Sequence, residues 1–388
     1  MPINPSNMRV VDVARLLNST SFGFVLPQAR LYREFNRVGF RIGSSENPRN
    51  INLLKYIAWM FDRKHTPEET SGARSYEDRR NAERDRQAEQ SLAGRDIGQL
   101  PEVVNPNRKA ACERNFQLFC ESYFPETYAL AWSPDHLKVI EKIETAVLRG
   151  GLFALALPRG SGKTTITESA ALWSMLYGHR EFVVLIGATE SAALELLDSL
   201  KTELEVNERL AEDFPEVCYP VAQLEGIANR CAGQLYKGER TRITWTSNEI
   251  VLPTVEGSRA SGIIVRVAGI TGRIRGMKFK RSDGRSVRPS LVIIDDPQTS
   301  ESAGSLEQTR KRVRVLAGDI LGLAGPGQKI SGIMPCTIIR PGDMADIILN
   351  RNTHPDWNGE KTRMVYRFPT NMKLWEEYAE IRAEALRT

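Results

Sequence analysis

Leu157-Pro158-Arg159-Gly160-Ser161-Gly162-Lys163-Thr164-Thr165 places two glycines, a lysine and two adjacent hydroxyls within nine residues. An apolar run over 151–157 leads in, and a helix-compatible run follows. The order strand, glycine-bearing turn, helix aims backbone N–H groups and a helix N-terminus at a phosphate chain. Lys163 has the reach for β- and γ-phosphates, and the Thr164 hydroxyl is a ligand for Mg²⁺. Pro158, Arg159, Gly160, Ser161, Gly162 and Thr165 complete the expected nucleotide cradle. Leu157 stands where such loops usually begin with glycine, and Arg159 adds a charge inside the loop.

A metal-bound nucleotide needs a second, acidic element. Leu291-Val292-Ile293-Ile294-Asp295-Asp296 supplies four apolar residues that read as a buried strand, with acids at its carboxyl end. Ligands of open α/β sheets bind at that end of the strands. Asp295 is expected to hold Mg²⁺, and Asp296 to orient or deprotonate an attacking water. Glu is more usual at the second place, so the shorter Asp needs a closer water or a small backbone shift. The implied ligands are ATP and Mg²⁺.

These groups require a scaffold. Residues 182–188 form a continuous apolar run followed by a helix-forming stretch over 191–204, and 263–267 and 329–334 are further strands by pattern. Strands alternating with helices predict an α/β fold of the P-loop NTPase type, with a doubly wound, mostly parallel sheet. Thr246-Ser247-Asn248 reads as a hairpin turn between 241–245 and 249–252. Asp283-Gly284 reads as a second, whose arms carry Lys278, Lys280, Arg281, Arg285 and Arg288. Those basic arms suit contact with DNA or a neighbouring subunit, or the protection of an edge strand from aggregation.

Pro158 to Thr164, then Ile293-Ile294-Asp295-Asp296-Pro297-Gln298, then Met334-Pro335-Cys336-Thr337 resemble the ATPase domain of the large terminase subunit of tailed phages. The resemblance covers about 105–369. It implies a motor that hydrolyses ATP to drive double-stranded DNA into a capsid. It also implies a homo-oligomeric ring, docking on the portal of the procapsid, a small terminase subunit as partner, and the host cytoplasm as location. By the resemblance Arg159 contacts the γ-phosphate, and Thr337 lies in the motif coupling phosphate state to movement. His136, in Trp132-Ser133-Pro134-Asp135-His136, replaces the Gln of the family's adenine-side motif. Ser133 and Pro134 there read as a helix start. Arg259, Arg273 and Arg275 are candidates for an arginine acting across subunits. The family's ATPase is usually followed by a nuclease. Only a short tail with an expected helix over 371–388 follows Pro369, so the expectation is ATP hydrolysis without DNA cleavage. A helicase-like or defence-system ATPase, and a DNA-binding adaptor with a structural nucleotide site, remain open alternatives.

Charge divides the 388 residues. The net charge is +5, yet residues 1–64 hold ten Lys/Arg against four Asp/Glu. Helical patterns over 10–18, 30–38 and 52–63 predict a small basic helical domain, helix-turn-helix-like, spanning 1–64. It loosely resembles the DNA-binding domain of small terminase subunits. Arg30, Arg33, Arg37 and Arg41 are its expected phosphate contacts. Mixed charges with few apolar residues mark 65–110 as a linker or solvated helix, ahead of an ATPase domain over 111–370. No apolar run approaches the ~18 residues that span a bilayer, and the N-terminus lacks a signal-peptide core. Cys112, Cys120, Cys218, Cys231 and Cys336 show no paired metal spacing and fit a reducing compartment.

Overall fold

The computed structural model describes residues 4–19, 28, 31–33, 35–36, 42–65, 95–272, 274–281 and 283–387. The chain divides into two compact units, Met1–Glu83 and Arg84–Thr388.

In the first unit, β1 (Met8–Arg9) pairs antiparallel with β2 (Asn50–Ile51). Helix α1 (Val10–Asn18) buries Val10, Val13 and Ala14, the i, i+3, i+4 face its sequence predicts. Helix α2 (Leu53–His65) adds buried Tyr56 to a small core with Met8, Leu31, Ile42 and Ile51. The ribbon β1–β2 was not legible in the helical pattern. Of the expected helix over 30–38, the described residues Leu31, Tyr32, Arg33, Phe35 and Asn36 are helical. Arg33 is exposed, whereas Arg30, Arg37 and Arg41 lie outside the described residues.

The second unit opens with α3 (Pro106–Cys112), α4 (Phe116–Tyr123) and α5 (Pro134–Leu148). Next come β3 (Leu152–Ala156), α6 (Lys163–Leu176), β4 (Phe182–Gly187) and α7 (Glu190–Val206). The chain continues through α8 (Glu208–Asp213), α9 (Pro215–Ala222) and the small ribbon of β5 (Leu235–Tyr236) and β6 (Glu239–Arg240). The hairpin of β7 (Thr244–Trp245) and β8 (Glu249–Val251) precedes β9 (Ile264–Gly269). A second hairpin, β10 (Phe279–Lys280) and β11 (Ser286–Val287), turns at Asp283-Gly284. Last come β12 (Leu291–Asp295), α10 (Ser300–Ala303), α11 (Leu306–Arg314), β13 (Ser331–Cys336), α12 (Met344–Ile348), β14 (Glu360–Lys361) and α13 (Met372–Ala385).

Eight strands form the central sheet in the order β14-β3-β13-β12-β4-β9-β8-β7. The first six pair in parallel, and only the β8 and β7 edge runs antiparallel. The unit is therefore α/β with a mostly parallel sheet. Side chains alternate between two cores, as a period of two requires. Leu155, Leu185, Val265 and Ile293 face α4 to α9, while Ala156, Ile186, Ile264 and Ile294 face α12 and the turn after α11.

Two local departures bear on the site. A Cβ on Gly187 would lie 2.8 Å from Ala193 N, and one on Gly269 2.7 Å from Glu190 N. The ends of β4 and β9 thus meet the first turn of α7 at backbone distance. The strand expected over 329–334 runs instead over 331–336, through Pro335. Proline argues against a central strand, because it gives the ladder no donor. Here the pairing of β13 with β12 stops at Ile293↔Ile333, while its pairing with β3 continues to Cys336↔Ala156. The Pro335 carbonyl accepts from Asp296 N at 3.2 Å, so its missing N–H would have faced the same neighbour.

Helix α13 has no buried residue, and Trp375 and Tyr378 are exposed on it. All five cysteines are free thiols. Among the described residues no helix is long and apolar enough to cross a membrane.

Candidate functional site

The buried strand β3 ends at the carboxyl edge of the sheet, and the turn over 158–162 joins it to α6. Gly162, the residue before the helix, has φ 71°, and Gly160 has φ 76°. Both lie in the left-handed region that side chains resist. With no capping side chain, the first N–H groups of a 14-residue helix point out of the turn. Ser161 Oγ donates to Pro158 O at 2.8 Å and fixes the turn's shape.

Four chemically active groups meet there. The buried Lys163 amine donates to Pro158 O at 3.1 Å and lies 3.8 Å from Asp296 Oδ2. Thr164 Oγ1 donates to Asp295 Oδ2 at 2.8 Å, across 131 positions of sequence. Asp295 Oδ1 is shielded from solvent and has no hydrogen-bond partner among the described residues. A buried, half-satisfied carboxylate carries a free-energy cost that a divalent cation offsets. The donors, a hydroxyl and a carboxylate, are the hard oxygens Mg²⁺ selects. The residues present therefore fit that ion.

Burial pushes the Asp295 carboxyl up to about 6, and the charge of Asp296 adds to the rise. The Thr164 hydrogen bond and Lys163 oppose it. Glu168, one turn along α6 from Thr164, is pushed up by burial to about 7. A raised carboxyl favours the fold most below its ordinary 3.8, and this contribution is lost as pH rises through about 6. A cation competes with the proton. The Mg²⁺-induced rise in melting temperature is thus expected to be full at pH 8 and to vanish as pH falls through about 6. Asp295→Asn should show no Mg²⁺ response at either pH, and a pH-independent response of the unmutated chain would refute the assignment.

Asp296 follows with φ 35°, a left-handed backbone uncommon for a non-glycine residue. That turn carries its carboxylate toward Lys163 rather than along the strand. Arg159 is exposed on the loop, with no hydrogen bond or ion pair among the described residues. Thr165 is half-buried, and its carbonyl accepts from Tyr128 Oη at 3.1 Å. His136 Nε2 lies 3.0 Å from Ser161 O, and its Nδ1 lies 3.0 Å from Ser133 Oγ. Ser133 also caps α5, with Pro134 at its first position. Tyr128, Trp132 and His136 line up with ring centroids 4.9 and 5.9 Å apart. The sequence pointed to Trp132 and His136 of this aromatic row under the loop, but not to Tyr128.

Thr337 follows β13 directly. Its Oγ1 is buried without a partner among the described residues, and its carbonyl accepts from Gln298 Nε2 at 3.0 Å. Gln298 was not singled out from sequence for a role of its own. It is buried, donates also to Asp343 Oδ2 at 2.8 Å, and accepts from Met344 N at 3.1 Å. Asp343, buried, caps α12 and accepts from Ile339 N, Arg340 N and Asp346 N. The segment after Asp296 is thereby clamped to the loop after Thr337. The signal available in sequence was two polar residues 45 positions apart, which reads as loop.

The remaining candidates lie elsewhere. Arg259 pairs with Glu113 Oε1 at 2.5 Å, and its carbonyl lies against Gly178, before β4, at the amino end of the strands. Arg275 is exposed and pairs with Asp319, while Arg273 lies outside the described residues. Lys278 and Lys280 are exposed on the β10–β11 hairpin. Arg281 on that hairpin is turned inward, donating to Gly262 O at 3.0 Å. No family model and no curated protein matches the chain.

Proposed function

We propose that this chain is a P-loop ATPase of the packaging-motor type, coupling ATP hydrolysis to translocation of double-stranded DNA into a capsid. The observation that carries the reading is the Thr164–Asp295 hydrogen bond beside Lys163 and a second, unpartnered carboxylate oxygen. Thr164 and Asp295 would hold Mg²⁺, which when bound neutralises phosphate charge. The N–H groups at the start of α6 cradle the phosphates. Lys163 and Arg159 stabilise charge developing on the transferring phosphoryl group. Asp296 orients the attacking water and receives its proton. His136, carried on the loop's flank, is the group nearest an adenine side. Arg259, Arg273 or Arg275 would complete the site of a neighbouring subunit in a ring.

Thr337 reads the outcome. Its position between the sheet and the Gln298–Asp343 clamp suits a coupling residue. The portal and a small DNA-recognising subunit are the partners this reading supplies, in the cytoplasm of an infected cell. Arg30, Arg33, Arg37 and Arg41 would add phosphate contacts from the first unit.

The purified chain should turn over ATP with Mg²⁺, faster with duplex DNA, and stop with EDTA. Tight ATP binding without turnover, with and without DNA, would reject the hydrolase reading in favour of a structural nucleotide.

A further inference from the structure

The net charge outside residues 1–64 is close to zero, but the sheet divides it. Between β4 and β9, residues 188–263 carry thirteen Asp/Glu against seven Lys/Arg. That stretch supplies α7 to α9, which cover one face. Between β9 and β13, residues 270–330 carry twelve Lys/Arg against six Asp/Glu, and two of the six are Asp295 and Asp296. This second stretch covers the opposite face with the β10–β11 hairpin, α11 and the turn that follows.

Helix α11 displays the excess. Thr309 and Arg312 are buried, and Leu316 beyond them anchors the following turn in the core. Arg310, Lys311 and Arg314, at i, i+1 and i+4, therefore share the outer face, and all three are exposed. None of the three side chains has an ion pair among the described residues, and Glu307 is the one acid within α11. Arg340 extends the line, its Nη1 lying 3.3 Å from where a Cβ on Gly304 would stand, just before α11. On the hairpin, Lys278 and Lys280 are exposed where Met277 and Val287 turn into the same core.

We propose that this face, centred on α11, is where the phosphodiester backbone of double-stranded DNA docks. Unpaired arginines and lysines on one helix face suit phosphates, which supply affinity without sequence. A single strand would need aromatic platforms for its bases. Phe279 is the one aromatic between 270 and 330, and it is half-buried. The surface is joined to the hydrolytic centre. Helix α11 packs on α12, Asp343 caps α12, and Gln298 ties Asp343 to Thr337 two residues beyond Asp296. DNA bound at α11 thus lies one helix away from the clamp. The coupling part of the inference rests on the ATPase reading, whereas the docking part does not.

The test is binding of a short labelled DNA duplex by fluorescence anisotropy across a salt series, without nucleotide. Arg310→Gln/Lys311→Gln/Arg314→Gln removes three exposed charges and no packing. The slope of log affinity against log salt should become shallower by about 2 to 3, with affinity lowered about tenfold or more at low salt. Lys311→Glu alone should weaken binding in the same direction. Basal ATP turnover should be unchanged, and its stimulation by duplex should fall with binding. An unaltered slope and affinity in both variants would overturn the proposal. So would a preference for a single strand of equal length, or retention of an acidic peptide in place of the duplex. Because binding is read without ATP, a chain that binds in this way yet never hydrolyses ATP would refute the hydrolase reading alone.

Discussion

Lys163→Ala is expected to lower ATP turnover by about 10³-fold or more, while duplex binding stays within a few-fold of the unmutated chain. The amine is buried and lies between the Pro158 carbonyl and the Asp296 carboxylate. Among the described residues it is the one cation that acts on both strand-end acids. Its removal withdraws a donor from the developing phosphoryl charge. It also leaves Asp295 and Asp296 side by side without their cation, so the Asp295 carboxyl should titrate higher still, since Lys163 holds it down. Turnover and Mg²⁺ response at pH 7 should therefore fall together. A merely structural lysine would lower the melting temperature and leave both intact. Unchanged turnover in a folded Lys163→Ala protein would reject the site.

Asp296→Asn should cost about 10²- to 10⁴-fold in turnover, with little change in stability. The amide keeps the shape of the side chain and removes only its charge and basicity. Asparagine also tolerates the left-handed backbone that Asp296 adopts at φ 35°. Alanine would confound the measurement by adding strain of about 1 kcal/mol or more at that φ. Removing one of two neighbouring negative charges should leave ATP binding equal or tighter. Single-turnover kinetics with a nucleotide-binding titration separate the two effects. Turnover within tenfold of the unmutated chain would mean that another group, such as Glu168, handles the water.

Much of the scaffold was legible because burial writes itself as pattern. The run over 182–188 is apolar throughout, since β4 is covered on both faces. Helix α1 is amphipathic because it covers a small core. β13 was misplaced by two residues, since Pro335 is a strand breaker by every local rule. It is accommodated here because the side that lacks its donor is where the sheet parts. The Gln298–Asp343 clamp was not legible, because polar residues on separate loops gain their meaning only from the topology that joins them. The charge partition was hidden for a different reason. Opposite excesses cancel in a sum, and only the sheet says which face each segment covers.

Pro335 has a mechanical consequence. A parallel sheet with a complete ladder is a stiff plate, and a displacement at one strand end spreads across its neighbours. Here the seam between β12 and β13 closes three residue pairs and then loses its next donor, leaving the Asp296 amide as a single late fastening. The seam is therefore a slot cut into the plate beside the two acids. Movement at Asp296 is taken up by the flanking loop, where Gln298 and Asp343 are fixed, and the other strands keep their register. The side of the acids left open by the ladder is therefore the loop side, where Gln298 and Asp343 lead on to α12 and α11.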